Sequence, residues 1–279
     1  MSTQTHHALT DAQAAQFERD GYVILHGLFT PQEVEEIKAG FMAQAQNGPV
    51  EGLSDFKFDG VLYYDAGDPL AFYPRMMQPH THPELPVGPL ARRYLLDARL
   101  GAALAEIMGD EPVAVQSMFY FKPPGARGQE LHQDNFYLRV APGTCYAAWV
   151  AVDDVDAENG GMKVVPGSNH MAIACPQKAD SATSFTPDYV PVPEGMEAVH
   201  ADMKAGDVLF FNGSLIHGST PNTSADRFRR SIIFHYVPRN TQELAHWYEQ
   251  PTTFAGEVLS IKFAEGGGPC GVAQPIGMH

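Results

Sequence analysis

The chain has 279 residues, 44% of them hydrophobic and 18% charged, the composition of an ordinary globular protein. A formal net charge of −15, with only 18 lysines and arginines, argues against a nucleic-acid or anionic-membrane partner. No apolar run approaches the roughly 20 residues that span a bilayer. The opening Met1-Ser2-Thr3-Gln4-Thr5-His6-His7 has neither the basic start nor the apolar core of a signal peptide. Three scattered cysteines, Cys145, Cys175 and Cys270, do not make a disulfide framework, so the expected location is a reducing cytoplasm.

Thr10-Asp11-Ala12-Gln13 reads as a capping box that opens a short helix to Asp20. Tyr22-Val23-Ile24-Leu25 is the first expected strand. Thr30-Pro31-Gln32-Glu33 is a second capping box with proline at the first helical position. Its helix carries Val34, Ile37, Phe41 and Ala45 at helical spacing, and Asn47-Gly48-Pro49 stops it. Residues 49–84 look irregular and rich in Gly, Asp and aromatics, the pattern of a functional loop or lid. Helical stretches follow near 86–97 and 98–108.

Strand signals dominate the remainder. They cover Val113–Phe121, Tyr146–Val152, Met162–Val165 after the tight turn Asn159-Gly160-Gly161, Asp207–Phe211, and Ser231–Tyr236. Residues 167–198 form a second long loop with several prolines. Helices followed by short strands point to a β-barrel or sandwich buttressed by N-terminal helices. One domain over 1–279 is expected, with its core at about 12–238.

The sharpest chemistry lies in Leu131-His132-Gln133-Asp134-Asn135 and Ile216-His217-Gly218-Ser219. Two histidines and one carboxylate form the ligand set of non-haem Fe(II), which leaves three coordination positions open for a co-substrate and O2. His-x-Asp alone is weak, since about one such triplet is expected by chance in a chain of this composition. His200-Ala201-Asp202 is a decoy, and His80-Thr81-His82 and His82-Pro83-Glu84 are others. Spacing separates them. In a strand, residues two apart share a face, so His132 and Asp134 are expected to point at one metal. The 85 residues to His217 leave room for the intervening strands, whereas only 17 separate His200 from His217. His80, His82, His170 and His200 read as surface or hydrogen-bonded histidines. Arg229-Arg230, a dozen residues past His217, supplies a partner for a co-substrate carboxylate.

Phe121-Lys122-Pro123-Pro124-Gly125, Leu131–Asn135, Glu158-Asn159-Gly160-Gly161, Val165-Pro166-Gly167-Ser168-Asn169-His170 and His217-Gly218-Ser219 with Pro221-Asn222 resemble the phytanoyl-CoA dioxygenase family, which includes phytanoyl-CoA hydroxylase and ectoine hydroxylase. The blocks run in that family's order from about residue 12 to 238. The resemblance implies a mainly β, double-stranded β-helix (jelly-roll, cupin-like) barrel. It also implies Fe(II) with 2-oxoglutarate and O2 as co-substrates. By the same resemblance His132, Asp134 and His217 are the iron ligands. Arg229 binds the far carboxylate of 2-oxoglutarate, accompanied by Ser219, with Trp149, Met118 and Gln116 beside the co-substrate. Counting back from Tyr236 places Arg229 at the family position, so Arg230 should face the other way, into solvent. Related halogenases replace the carboxylate; its presence as Asp134 favours hydroxylation.

The expected activity is therefore hydroxylation of an unactivated C–H bond of a small metabolite, with release of succinate and CO2. Candidate substrate contacts are Tyr63, Tyr64, Phe72, Tyr73, Arg75, Phe136, Arg139 and His235; Arg75, Arg139 and Lys163 are candidates to hold an anionic group, and read equally well as solvated charges. Two alternatives stand beside this reading. An acyl-CoA hydroxylase of the same family needs a basic strip for nucleotide phosphates, which 11 Arg and 7 Lys in a −15 chain do not visibly make. A non-redox cupin-like binder has no need of Arg229.

Overall fold

Thr10 and Thr30 open the first two helices in the same way. Each side-chain oxygen accepts from the backbone N–H three residues on, and the Gln13 or Glu33 side chain reaches back to the cap. The helices run Asp11–Asp20, ended by the left-handed Gly21, and Pro31–Gln46. Glu33 also pairs with Arg99 at 2.6 Å, and that contact pulls its carboxyl down to about 2. Residues 7–55, 57–58, 61–62, 64, 67–248, 250–265 and 270–271 are described in this computed structural model.

A seven-stranded antiparallel sheet forms the larger layer. Its order is Tyr22–Leu25, Val208–Asn212, Tyr146–Ala151, Ser231–Pro238, Pro112–Tyr120 and Thr252–Thr253, with Met76–Met77 also pairing with Pro112–Tyr120. Alternation along these strands sorts side chains between two cores. Phe119, Val150, Phe210, Ile232 and Phe234 face the helices Pro31–Gln46, Val87–Leu95 and Ala98–Met108. Phe41 stacks on Phe119 at 4.1 Å between ring centroids; both are fully buried, so truncating either to alanine should cost about 3–5 kcal/mol.

The opposite set, Met118, Trp149, Leu209, Phe211 and Ile233, packs against Met162, Val164 and Ala201. Those three belong to a second antiparallel sheet, ordered Val199–Ala201, Met162–Val164, His217–Ser219 and Gln129–His132. The functional groups lie between the two sheets. The mainly β architecture with N-terminal helices on one face is as expected.

Two expectations change. Residues 49–84 are not structureless: they hold short strands at Lys57–Phe58 and Val61–Leu62, a turn of helix at Pro69–Phe72, the Met76–Met77 strand and a 3-10 turn at Pro79–Thr81. These segments are too short for periodicity to reveal. Cys175 and Cys270 are joined in a disulfide, with Cys145 buried and free. One bridge is no framework, yet it removes the cysteine argument for a reducing compartment. Among the described residues no helix is long and apolar enough to cross a membrane.

Candidate metal centre and co-substrate pocket

His132 is the last residue of the Gln129–His132 strand and His217 the first of His217–Ser219; the two are direct partners across that ladder. Asp134 is not in the strand. It has helical backbone angles, φ −59° and ψ −37°, and its carbonyl accepts from the N–H of Tyr137 and Leu138, starting the short helix Asn135–Leu138. The expectation that strand alternation aligns His132 with Asp134 is thus corrected. The turn into a helix, not the pleat, brings the carboxylate back to the histidine.

All three side chains are buried, and one ligand atom from each lies within 4.8 Å of the others. Oδ1 of Asp134 is 3.5 Å from Nε2 of both His132 and His217. First-row divalent ions bind such atoms at about 2.0–2.2 Å, so ligands at right angles sit about 3 Å apart; the triad is close to that spacing. Each ring is oriented from behind. Nδ1 of His132 meets the Glu130 carbonyl at 2.7 Å, and Nδ1 of His217 meets the Leu215 carbonyl at 3.0 Å. Nδ1 therefore carries the proton in both rings, and the Nε2 lone pairs converge with Asp134. Burial, opposed by Asp134, pulls His217 down to about 4, which keeps it neutral and able to ligate. The donor set fits Fe(II).

His235 lies behind the carboxylate, with Nε2 at 2.9 Å from Oδ2 of Asp134. Its other nitrogen, Nδ1, is buried with no hydrogen-bond partner among the described residues. His235 also lines the pocket that opens from the triad, together with Met118, Tyr120, Trp149, Ile233, Ser219 and Arg229.

Arg229 closes the far end of that pocket. Its guanidinium is buried, donates to the Gly160 carbonyl at 3.2 Å and to Ser231 Oγ at 2.9 Å, and stands 5.4 Å over the Trp149 ring. Among the described residues no carboxylate lies within ion-pair distance of it. Burial lowers its pKa to about 10, so it stays charged at neutral pH. A buried cation without a counter-ion is unstable unless a ligand brings one. Arg230 does face the other way, but not into solvent: its fork grips Asp153 at 2.7 and 2.8 Å.

Met118, Trp149 and Ser219 line the pocket, whereas Gln116 is buried opposite His235 in the sheet and outside the lining. The substrate candidates divide. Arg75 is buried against Asp55 and the Tyr120 hydroxyl, so it is not available to an anionic substrate group. Arg139 donates to the Glu265 carbonyl at 2.6 Å. Tyr64 packs with Leu70 and Ala126, Tyr73 with Phe121 and Phe228, and Phe136 against Tyr137. Phe72 is 68% exposed. Tyr63 lies outside the described residues. Lys163 is half-buried on the strand beside His217–Ser219. The decoy pair His200 and Asp202 is exposed, and His80 is buried against Ser117 Oγ at 2.7 Å.

Sequence reasoning missed Lys122, Gln129 and Tyr120. Gln129 and Tyr120 line the pocket, and Lys122 sits just behind it. The one usable signal was Lys122 within Lys-Pro-Pro-Gly, where two prolines leave little freedom for an ordinary surface lysine.

The family model of phytanoyl-CoA dioxygenase (PhyH) matches residues 17–231, a span that contains the triad and Arg229. The chain belongs to the phytanoyl-CoA dioxygenase family. It is 25% identical to Phytanoyl-CoA dioxygenase 1 of Oryza sativa subsp. japonica, covering 82% of this chain and 89% of that protein. It is 26% identical to Phytanoyl-CoA dioxygenase domain-containing protein 1 of Danio rerio, covering 82% and 90%. In fold it is similar to EctD from S. alaskensis, solved with bound Fe, with a TM-score of 0.66 at 19% identity over 94% of this chain and 90% of that one. It is also similar to the epimerase SnoN, solved with Fe3+, alpha ketoglutarate and nogalamycin RO, with a TM-score of 0.62 at 23% identity over 83% and 84%.

Proposed function

We propose that this protein is an Fe(II)- and 2-oxoglutarate-dependent dioxygenase that hydroxylates an unactivated C–H bond of a small metabolite. One observation carries the reading: the His132–Asp134–His217 triad and a buried arginine, Arg229, which has no carboxylate partner among the described residues, line one pocket. The family membership and the Fe-bound SnoN and EctD structures support it. The two-sheet core is read as a double-stranded β-helix, and residues 1–279 as one domain.

His132, Asp134 and His217 would hold the iron. Iron bound there supplies O2 activation driven by oxidative decarboxylation of 2-oxoglutarate to succinate and CO2, with one oxygen atom going to the substrate. Arg229 and Ser219 receive the 5-carboxylate, and that contact sets the co-substrate's distance from the triad. Trp149, Met118 and Ile233 exclude water from the same space. His235 orients Asp134, and its Nδ1 offers an acceptor to a substrate hydroxyl or ammonium. Asp134 fills the position that a halide would need, so hydroxylation is favoured over halogen transfer.

The substrate class is a small molecule rather than an acyl-CoA. Arg75, the most buried of the candidate cations, is already committed to Asp55, and the net charge of −15 disfavours a polyphosphate ligand. A panel of small metabolites and acyl-CoA thioesters, read by succinate formation and by gain of one oxygen atom in the product, tests both parts. Turnover of acyl-CoA thioesters alone would reverse the substrate assignment.

A further inference from the structure

Lys122 is 2% exposed, and its ammonium makes three hydrogen bonds: to the Gly160 carbonyl at 3.2 Å, to Ser219 Oγ at 2.8 Å and to the Thr220 carbonyl at 2.7 Å. We propose that Lys122 is a positioning residue for the co-substrate. It turns the Ser219 hydroxyl into an obligate donor and, with Arg229, forms a two-cation cradle that selects a dicarboxylate 2-oxo acid over a monocarboxylate one. This rests on the reading that Arg229 and Ser219 receive the distal carboxylate.

Hydrogen-bond polarity carries the first half. An ammonium has three donors and no acceptor, so Ser219 Oγ must accept from Lys122. The backbone N–H of Gln129 also reaches Ser219 Oγ, at 3.3 Å. A hydroxyl accepts twice and donates once, so both acceptor sites are taken and the proton is left for the pocket that Ser219 lines. That is the polarity a carboxylate needs. A neutral group in place of the ammonium would release Ser219 to turn its proton away.

Charge carries the second half. The Gly160 carbonyl accepts from both Lys122 Nζ and Arg229 Nε, each at 3.2 Å, so two buried cations converge on one oxygen. Among the described residues neither has a carboxylate within ion-pair distance. Burial, with Arg229 close by, pushes the Lys122 ammonium well below its ordinary range, a cost that a bound dianion relieves. The backbone is shaped for this meeting. Gly160 has φ +83°, and a Cβ there would lie 2.5 Å from Lys122 Cδ and 2.8 Å from the Thr220 carbonyl oxygen.

The test is a double-mutant cycle on equilibrium binding. Dissociation constants of 2-oxoglutarate and of 2-oxobutyrate are measured without oxygen, by calorimetry on the iron-loaded protein, for wild type, Lys122→Met, Ser219→Ala and the double variant. Each single variant should weaken 2-oxoglutarate at least tenfold and 2-oxobutyrate less than threefold. The double variant should be no weaker than the worse single, because Lys122→Met already forfeits the contact that Ser219→Ala removes. Multiplicative losses, or equal losses for both acids, would overturn the proposal. If Lys122→Met does not fold, Lys122→Gln takes its place. Ser219→Ala, a small pocket-wall change, decides alone if neither lysine variant can be purified: unchanged 2-oxoglutarate binding there overturns the proposal. Arg229→Met separates the two layers. If it leaves 2-oxoglutarate binding intact, the pocket reading itself fails; if it weakens binding while the other two losses multiply, only the role of Lys122 fails.

Discussion

Nε2 of His235 donates to Oδ2 of Asp134 at 2.9 Å, while Oδ1 of the same carboxylate is 3.5 Å from each of the two triad imidazoles. The carboxylate is thus held by one oxygen and presented by the other. Such outer contacts typically contribute about 10–100-fold to metal affinity. His235→Ala should therefore weaken Fe(II) binding by about that range, read by anaerobic metal titration, with the fold retained. Unaltered affinity would show that Asp134 is oriented by other neighbours.

The triad itself is more demanding. His132→Ala, Asp134→Ala and His217→Ala should each abolish stoichiometric iron binding, since two remaining ligands hold Fe(II) poorly at neutral pH. His200→Ala and Asp202→Ala, both exposed, should leave the iron content unchanged. Metal analysis of the five purified variants checks this. Loss of iron in the second pair alone would move the site to the decoy.

The adjacent arginines should separate cleanly. Arg229→Met removes the charged partner of a carboxylate in a buried pocket, a loss of roughly 3–5 kcal/mol, so the KM for 2-oxoglutarate should rise at least a hundredfold. Arg230→Met breaks the fork on Asp153 instead, and should lower stability by about 1 kcal/mol with little effect on KM. Steady-state kinetics beside a urea melt distinguish the two. A larger KM effect at Arg230 would place the co-substrate on the wrong side of the strand.

The aromatics of residues 49–84 now divide by burial. Tyr64 and Tyr73 are packed, so alanine there should destabilise by about 1–3 kcal/mol. Phe72, 68% exposed, should tolerate alanine within about 0.5 kcal/mol. If this segment also closes over substrate, Phe72→Ala should raise succinate formed per hydroxylated product above one. A ratio that stays at one, with substrate affinity unchanged, assigns the segment to scaffold.

His80 gives a pH signature. Burial lowers its pKa from 6.5 to about 4 in the folded protein, so between those values the unfolded chain binds the extra proton. Its contribution is complete above pH 6.5 and is lost as pH falls toward 4. The full linkage is on the order of 3 kcal/mol. His80→Gln should flatten the stability–pH slope across that window, measured by denaturant unfolding at several pH values. An unaltered slope would mean that His80 is not a source of acid sensitivity.

Local chemistry made much of this fold legible before its structure. Thr10 and Thr30 announce their helices because a capping box closes within four residues. The long strands show β-branched and aromatic runs, and the separation of His132 from His217 singles out the metal motif. Where sequence fell short, the cause is physical. The His217–Ser219 strand has three residues, too few for alternation to register. Asp134 reaches the histidines through a helical turn that the pleat argument could not foresee. Arg230 looks solvated until the fold brings Asp153 to it from 77 positions away. Lys122 belongs to a residue type almost never fully buried, and beyond its place before two prolines only the fold, which brings Ser219, Gly160 and Thr220 to it, reveals its burial.

Above all, the triad and Arg229 should jointly run oxygen-dependent decarboxylation of 2-oxoglutarate. The direct measurement is succinate released from 2-oxoglutarate when oxygen is admitted to protein loaded anaerobically with Fe(II), for wild type, Asp134→Ala and Arg229→Met at subsaturating 2-oxoglutarate. Wild type should release succinate only when oxygen is admitted, Asp134→Ala none above background, and Arg229→Met at least a hundredfold less. Iron-loaded wild type that forms no succinate with any metabolite of the panel present, or an Asp134→Ala variant as active as wild type, would contradict it.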